Sequence, residues 1–197
     1  MGGINQLFSY SPIKNTKLSY DESLFDPHEL EQFKNTTPQH LTLTQLKKIL
    51  PKEIVDSYFK FTVIRNPYHR IVSEYAYVHE TPTDKTKDFR DISFEEFLDK
   101  AFSLSEDEGV RLFDGHLKLQ MSYVIDEDHK IGVDQVYKME KLKECTDKLK
   151  TLTGLDISLP HARTTTFVSN KECLTHDNKV KIYDYYKEDF LFFDYRK

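Results

Sequence analysis

The sequence predicts an α/β fold, a mainly parallel sheet flanked by helices. Two observations carry that prediction. Residues 58–64 form an aromatic and β-branched run that reads as a buried strand of a parallel sheet, and residues 133–139 read as a second one. Each run is followed by a segment with helical signals. Strands alternate with helices without an internal repeat or a Pro/Gly linker, so residues 1–197 read as a single domain.

The elements follow in order. Short helices are expected over residues 5–10 and 26–34, the second with Pro27 and Glu29 suited to its first turn. Residues 42–50 read as a helix: Leu43, Leu46, Ile49 and Leu50 share one face, Thr42 and Gln45 have capping-box spacing, and Pro51 ends it. After the first strand, Asn66 is a good N-cap and Pro67 a good first helical residue. The helix from residue 68 to about residue 79 carries Ile71, Val72, Tyr75 and Val78 as its apolar stripe. Residues 81–91 read as a charged loop. A helix then opens at Ser93 with Glu96 in the capping-box position. Residues 105–109 read as an acidic, exposed segment and residues 116–123 as a short helix. Residues 140–152 read as a helix stopped by Gly154. Residues 158–176 read as loop, and a last helix runs from Thr175 through Tyr186 into an aromatic tail.

Composition narrows the function. A chain of 197 residues buries enough surface to fold without a disulfide or a metal. Its net charge of −5 opposes a nucleic-acid partner, and 13% aromatic residues oppose disorder. No stretch has the apolar length of a membrane span, and residues 1–8 lack the basic and apolar parts of a signal peptide. Cys145 and Cys173 form neither a framework nor a zinc set; they read as two reduced thiols or as one disulfide. The eight histidines show no metal-ligand spacing, so no metal is expected.

The stretch that carries chemistry runs from residue 59 to residue 75. It is a strand, an abrupt turn and a helix N-terminus, which attracts phosphate through its unpaired N–H groups. Arg65 stands at the carboxyl end of the strand, where α/β folds bind ligands. Ser73 lies about 10 Å up the helix. A guanidinium and a hydroxyl so placed suit a phosphate held from two sides. The same residues equally suit an Arg paired with a local carboxylate.

These residues, Phe59-x-Phe61-x-Val63-Ile64-Arg65-Asn66-Pro67-x-x-Arg70-x-Val72-Ser73-x-Tyr75, resemble the 3′-phosphate-binding motif of sulfotransferases of the carbohydrate and bacterial family 2 kind. Those enzymes use 3′-phosphoadenosine-5′-phosphosulfate (PAPS) as sulfuryl donor. The likeness continues through Phe94 to Leu98, His116 and Gln120, Gly132-Val133-Asp134, Glu140 to Leu142, and Tyr186 to Tyr195, covering residues 38–195. The resemblance implies a P-loop-NTPase-like sulfotransferase fold and a carbohydrate acceptor. It implies that Arg65 and Ser73 bind the 3′-phosphate of PAPS, and it gives Arg70 a structural part. His40 precedes Arg65 at about the interval that places a catalytic His in uronosyl 2-O-sulfotransferases, so it is the candidate base; a packing or capping histidine is the alternative. A neutral imidazole suits that task, because the acceptor hydroxyl must lose its proton as the S–O bond forms. His116 is expected as a structural or acceptor-site residue and His69 as a surface residue. Arg163 and Lys171, in the loop after Leu159-Pro160-His161, are candidates for the donor's phosphates, or belong to a solvated loop. Glu140 is expected as a buried hydrogen-bond partner.

The same family binds the 5′-phosphosulfate with a Lys-containing turn after its first strand, and no such motif occurs here. The opening Gly2-Gly3-Ile4 resembles the remainder of that turn. The chain therefore reads as N-terminally truncated, as a natural form without catalysis, or as one in which another segment supplies the lysine. The function expected is sulfuryl transfer from PAPS to a carbohydrate hydroxyl, with a catalytically inactive nucleotide- or glycan-binding protein as the alternative. A P-loop kinase does not fit, because Gly-x-x-x-x-Gly-Lys-Ser/Thr is absent.

Overall fold

A computed structural model describes residues 40–81, 83–159 and 170–197. The first helix expected within that range forms as α1, Leu43–Ile49. The Thr42 hydroxyl accepts from the Gln45 N–H, and the Gln45 side chain accepts from the Thr42 N–H at 2.8 Å, closing the capping box. After Pro51 comes a short helix, α2 (Lys52–Ser57), that the periodicity did not predict. It buries none of its residues, so no apolar stripe marks it.

Strand β1 is Phe61–Ile64 and strand β2 is Gln135–Lys138. They pair in parallel, with Phe61 opposite Gln135 and Ile64 opposite Lys138. Asp134 sets that register: its carboxylate accepts from the Lys60 N–H at 2.7 Å, and its own N–H donates to the Lys60 carbonyl at 2.8 Å. Among the described residues the sheet has these two strands. It is parallel as expected, but both strands are shorter and less buried than expected. Ile64 packs inward against Val124 and Phe193, whereas Phe61 and Val63, on the opposite face, are 40% and 37% exposed. Side chains alternate along a strand, so one covered face buries only every second residue.

Helix α3, Pro67–Glu80, starts as the sequence demands: the Asn66 side chain accepts from the Tyr68 N–H at 2.9 Å, and Pro67 occupies the first position. Its predicted stripe of Ile71, Val72, Tyr75 and Val78 is buried. Residues 81–91 are not all loop: a 3-10 turn at Asp84–Phe89 buries Thr86 and Phe89. Helix α4 (Phe94–Phe102) opens on the Ser93–Glu96 capping box. Residues 105–108 are exposed as expected, but the segment opens a helix, α5 (Glu106–Phe113), because Ser105 and Glu108 close another capping box. The short helix expected at 116–123 is reduced to a 3-10 turn at Gln120–Tyr123. Helix α6 (Leu142–Thr153) ends at Gly154, whose φ of +70° puts it in the left-handed region.

Helix α7 is Asn170–Cys173. The expected last helix is two: α8 (His176–Tyr185), capped by Thr175, and α9 (Lys187–Phe192), separated at Tyr186. Helix α8 packs on α3 and α4 over an aromatic core in which Phe97, Tyr186 and Phe190 are buried. Cys145 and Cys173 are both buried free thiols, which decides between the two readings of the cysteines. No helix among the described residues is long and apolar enough to cross a membrane. The expected helices at 5–10 and 26–34, the Gly2-Gly3 turn and Arg163 lie outside the described residues.

Candidate active site

Helix α3 has two faces. Opposite its apolar stripe lie Arg70, Ser73, Glu74 and Tyr77, spaced three and four residues apart and so on one side of the helix. Arg70 is fully engaged. Its Nη1 donates to the Lys118 carbonyl at 2.7 Å, its Nη2 to the His116 carbonyl at 2.6 Å, and its guanidinium lies 5.6 Å from the Tyr186 ring centroid. This clamp holds residues 116–118 against α3 and brings His116 Nδ1 to 2.9 Å from Glu74 Oε2.

The chain reaches that position through a tight reversal after α5. Asp114 and Gly115 are both left-handed, with φ of 52° and 86°. A Cβ on Gly115 would stand 3.2 Å from the Tyr123 hydroxyl, so glycine suits this place on both counts. The reversal aims Asp114 at His40, whose Nδ1 lies 2.9 Å from Asp114 Oδ2. His40 and His116 meet edge to face, ring centroids 4.8 Å apart and Nε2 atoms 3.4 Å apart. Burial pushes His40 below the ordinary imidazole value, His116 adds to that, and Asp114 offsets part of it. Burial also disfavours charge on His116, but the hydrogen bond and charge of Glu74 outweigh it and raise its pKa. His116 therefore binds a proton first, and His40 stays neutral beside it.

Arg65 follows β1 directly. Its backbone is held twice by Gln120: its N–H donates to Gln120 Oε1 at 2.8 Å, and Gln120 Nε2 donates to its carbonyl at 2.9 Å. Asp189, wholly buried, fixes that turn by accepting from the Gln120 N–H at 2.8 Å and the Met121 N–H at 2.9 Å. Its carboxyl is pushed above the usual carboxylate value by burial, against the opposing pull of those N–H groups. The Arg65 guanidinium, by contrast, makes no hydrogen bond or ion pair to a carboxylate among the described residues.

Arg65, Arg70, Ser73, Glu74 and His116 line a pocket of about 260 Å³. A cleft of about 980 Å³ adjoins it and shares Ser73, Glu74 and His116, with His40, Tyr77 and Asp114 on its wall. The structure thus gathers His40, Arg65 and Ser73 around His116. Lys171 is exposed on α7 and lines neither space. The start of α3 is less open to an anion than its sequence suggests. The Asn66 N–H donates to Glu140 Oε1 at 3.0 Å, the Tyr68 N–H is capped by Asn66, and Pro67 has none. Glu140 is a hydrogen-bond partner as expected, also accepting from the Tyr195 hydroxyl at 3.0 Å, but it is exposed rather than buried. His69 is half-buried.

Sequence reasoning missed Glu74 and Asp114. Glu74 had a readable signal, since it sits on the polar stripe of α3 between Ser73 and the apolar Tyr75. Asp114 had little beyond its place before a glycine. Among the described residues, no group of three or more His, Cys, Asp or Glu side chains is arranged to hold a metal ion.

A family model described as the sulfotransferase family matches residues 14–196. No curated protein matches, and no solved structure matches.

Proposed function

The chain belongs to the sulfotransferase family, and from that premise we propose that it transfers a sulfuryl group from PAPS to a hydroxyl of a carbohydrate. The observation that carries this reading is the pairing of an unengaged Arg65 guanidinium with the Ser73 hydroxyl in one pocket, beside a histidine-lined cleft. A guanidinium on a backbone fixed by Gln120 is a rigid, permanently charged partner for a phosphate, and the Ser73 hydroxyl adds a donor from the next element. In this reading Arg65 and Ser73 take the 3′-phosphate of the donor. Arg163 and Lys171 remain candidates for its other phosphates.

His40 acts as the base. Its Nδ1–H points at Asp114, which leaves Nε2 as the basic nitrogen, and its lowered pKa keeps it neutral near pH 7. The wall of the larger cleft offers Glu80, Thr81, Thr83 and Asp84, groups that exchange hydrogen bonds with sugar hydroxyls. Incubation with radiolabelled PAPS and a panel of glycans, phenols and simple alcohols tests the reading. Label is expected on a glycan with the wild type and not with Arg65→Ala. Transfer only to non-sugar alcohols would overturn the acceptor class, and nucleotide binding without transfer to any acceptor would favour an inactive binding protein.

A further inference from the structure

A further cavity, of about 340 Å³, lies between the end of α4, the first half of α5 and residues 117–122. It shares no residue with either space at the candidate active site. Its apolar walls are Ala101, Leu104, Val110, Leu117, Leu119 and Tyr185. The Tyr185 ring is stacked on Phe102 with centroids 3.9 Å apart, so that wall is backed. Gly109 completes the lining. It is buried inside a helix, where glycine is less favourable than alanine. A Cβ placed on it would meet nothing within 4 Å beyond its own helix, so the space beside it is empty.

The hydroxyls on the wall are already engaged. Thr42 Oγ1 accepts from the Gln45 N–H, Ser105 Oγ donates to Glu108, and Ser122 Oγ donates to the Leu119 carbonyl. Lys118 differs from them. Arg70 holds its carbonyl at 2.7 Å, which fixes where its side chain starts. That side chain is only 14% exposed, yet its ammonium makes no hydrogen bond among the described residues. Its ion-pair partner there, Glu106 Oε1, stands 3.7 Å away on a side chain 81% exposed. A lysine this buried calls for an anion within hydrogen-bond reach, and a solvated carboxylate outside that reach is a weak substitute.

We propose that this cavity is a binding site for a small amphipathic anion, an apolar ring carrying one oxyanion group, whose head is held by Lys118. The ring displaces water from the walls formed by Leu104, Val110 and Leu117, and the space is the size of a small-molecule site. The oxyanion takes the hydrogen bond that Glu106 is too far away to accept, and Glu106 turns to solvent. A sugar does not suit the site, because the engaged hydroxyls of Thr42, Ser105 and Ser122 leave its own hydroxyls without partners. The site is independent of the sulfuryl-transfer reading.

The test is a ¹H–¹⁵N NMR titration of the full chain with benzoate, benzyl alcohol and inorganic sulfate, which needs no turnover. Benzoate is expected to shift the amide signals of Gly109, Val110, Leu117 and Leu119 saturably. Read at those amides, it should bind at least about 10-fold more tightly than either probe that lacks its charge or its ring. Lys118→Met keeps the apolar stem and should lower benzoate to the level of benzyl alcohol. Glu106→Gln removes the competing carboxylate and should tighten benzoate about 3-fold. Gly109→Leu, with Val110→Phe as a second way to fill the space, should abolish these shifts while the rest of the spectrum keeps its dispersion. Equal affinity for benzoate and benzyl alcohol, or benzoate binding that survives Lys118→Met, overturns the anionic head. Equal affinity for sulfate overturns the apolar body. No saturable shift at these amides, or shifts that persist in both filled variants, overturns the site.

Discussion

Arg65 and Arg70 flank the first turn of α3 and have opposite surroundings. Arg70 donates to two backbone carbonyls and lies near the Tyr186 ring. Arg65 is fixed only through its backbone, and its guanidinium is left to the pocket. One arginine is consumed in building the site and the other is available to a ligand. A cation that already satisfies buried carbonyls cannot leave them for a phosphate without exposing their unpaired oxygens, so the division of labour follows from hydrogen-bond accounting.

The largest expected effect breaks the building arginine. Arg70→Met removes two charge-assisted hydrogen bonds and should cost about 3 kcal/mol in urea unfolding. It should also release residues 116–118 and weaken the His116–Glu74 contact; a loss below about 1 kcal/mol would mean the clamp is not a support. Gln120→Ala leaves the Arg65 backbone N–H and carbonyl without their partner and should cost about 2 kcal/mol, with nucleotide affinity falling alongside. Loss of stability without loss of affinity would separate the two roles.

The histidines give the comparison a pH signature. His116 has a raised folded-state pKa, so its stabilisation is present below 6.5 and is lost as pH rises through the folded value. His40 has a lowered one, so its contribution is present above 6.5 and is lost as pH falls through its folded value. The two contributions are jointly greatest near pH 6.5, and His116→Asn should abolish the alkaline part of the decline in Tm. A smaller effect concerns Tyr186, buried with a hydroxyl that finds no partner among the described residues and a pKa raised by burial. Tyr186→Phe should be neutral or stabilising by up to about 1 kcal/mol, because an unsatisfied hydroxyl is removed.

Local signals in the sequence were fully readable where the physics is local. The Thr42–Gln45 and Ser93–Glu96 capping boxes, the Asn66–Pro67 start and the Gly154 stop all form as their residue types require. So does the buried stripe of α3. The same rule, applied at Ser105 and Glu108, would have found α5. The exposed face of β1 was not readable, because an apolar run does not tell how many faces of the strand are covered. Of the candidate site, Arg65 and Ser73 were singled out by their motif and His40 by its interval, and the structure places all three on the walls of adjoining pockets. The meeting of His40 with His116 was not, since it depends on the left-handed Asp114–Gly115 reversal and on Arg70 holding a segment distant in sequence.

The central claim is that the Arg65 guanidinium is kept free for the 3′-phosphate of the donor nucleotide. Calorimetric titration of wild type and Arg65→Ala with adenosine 3′,5′-bisphosphate and with adenosine 5′-monophosphate isolates that phosphate. The account predicts that the wild type prefers the bisphosphate by at least about 10-fold, the worth of one charge-assisted hydrogen bond, and that Arg65→Ala abolishes the preference while changing stability by less than about 0.5 kcal/mol. A wild type that does not distinguish the two nucleotides, or an Arg65→Ala variant that still does, would contradict it.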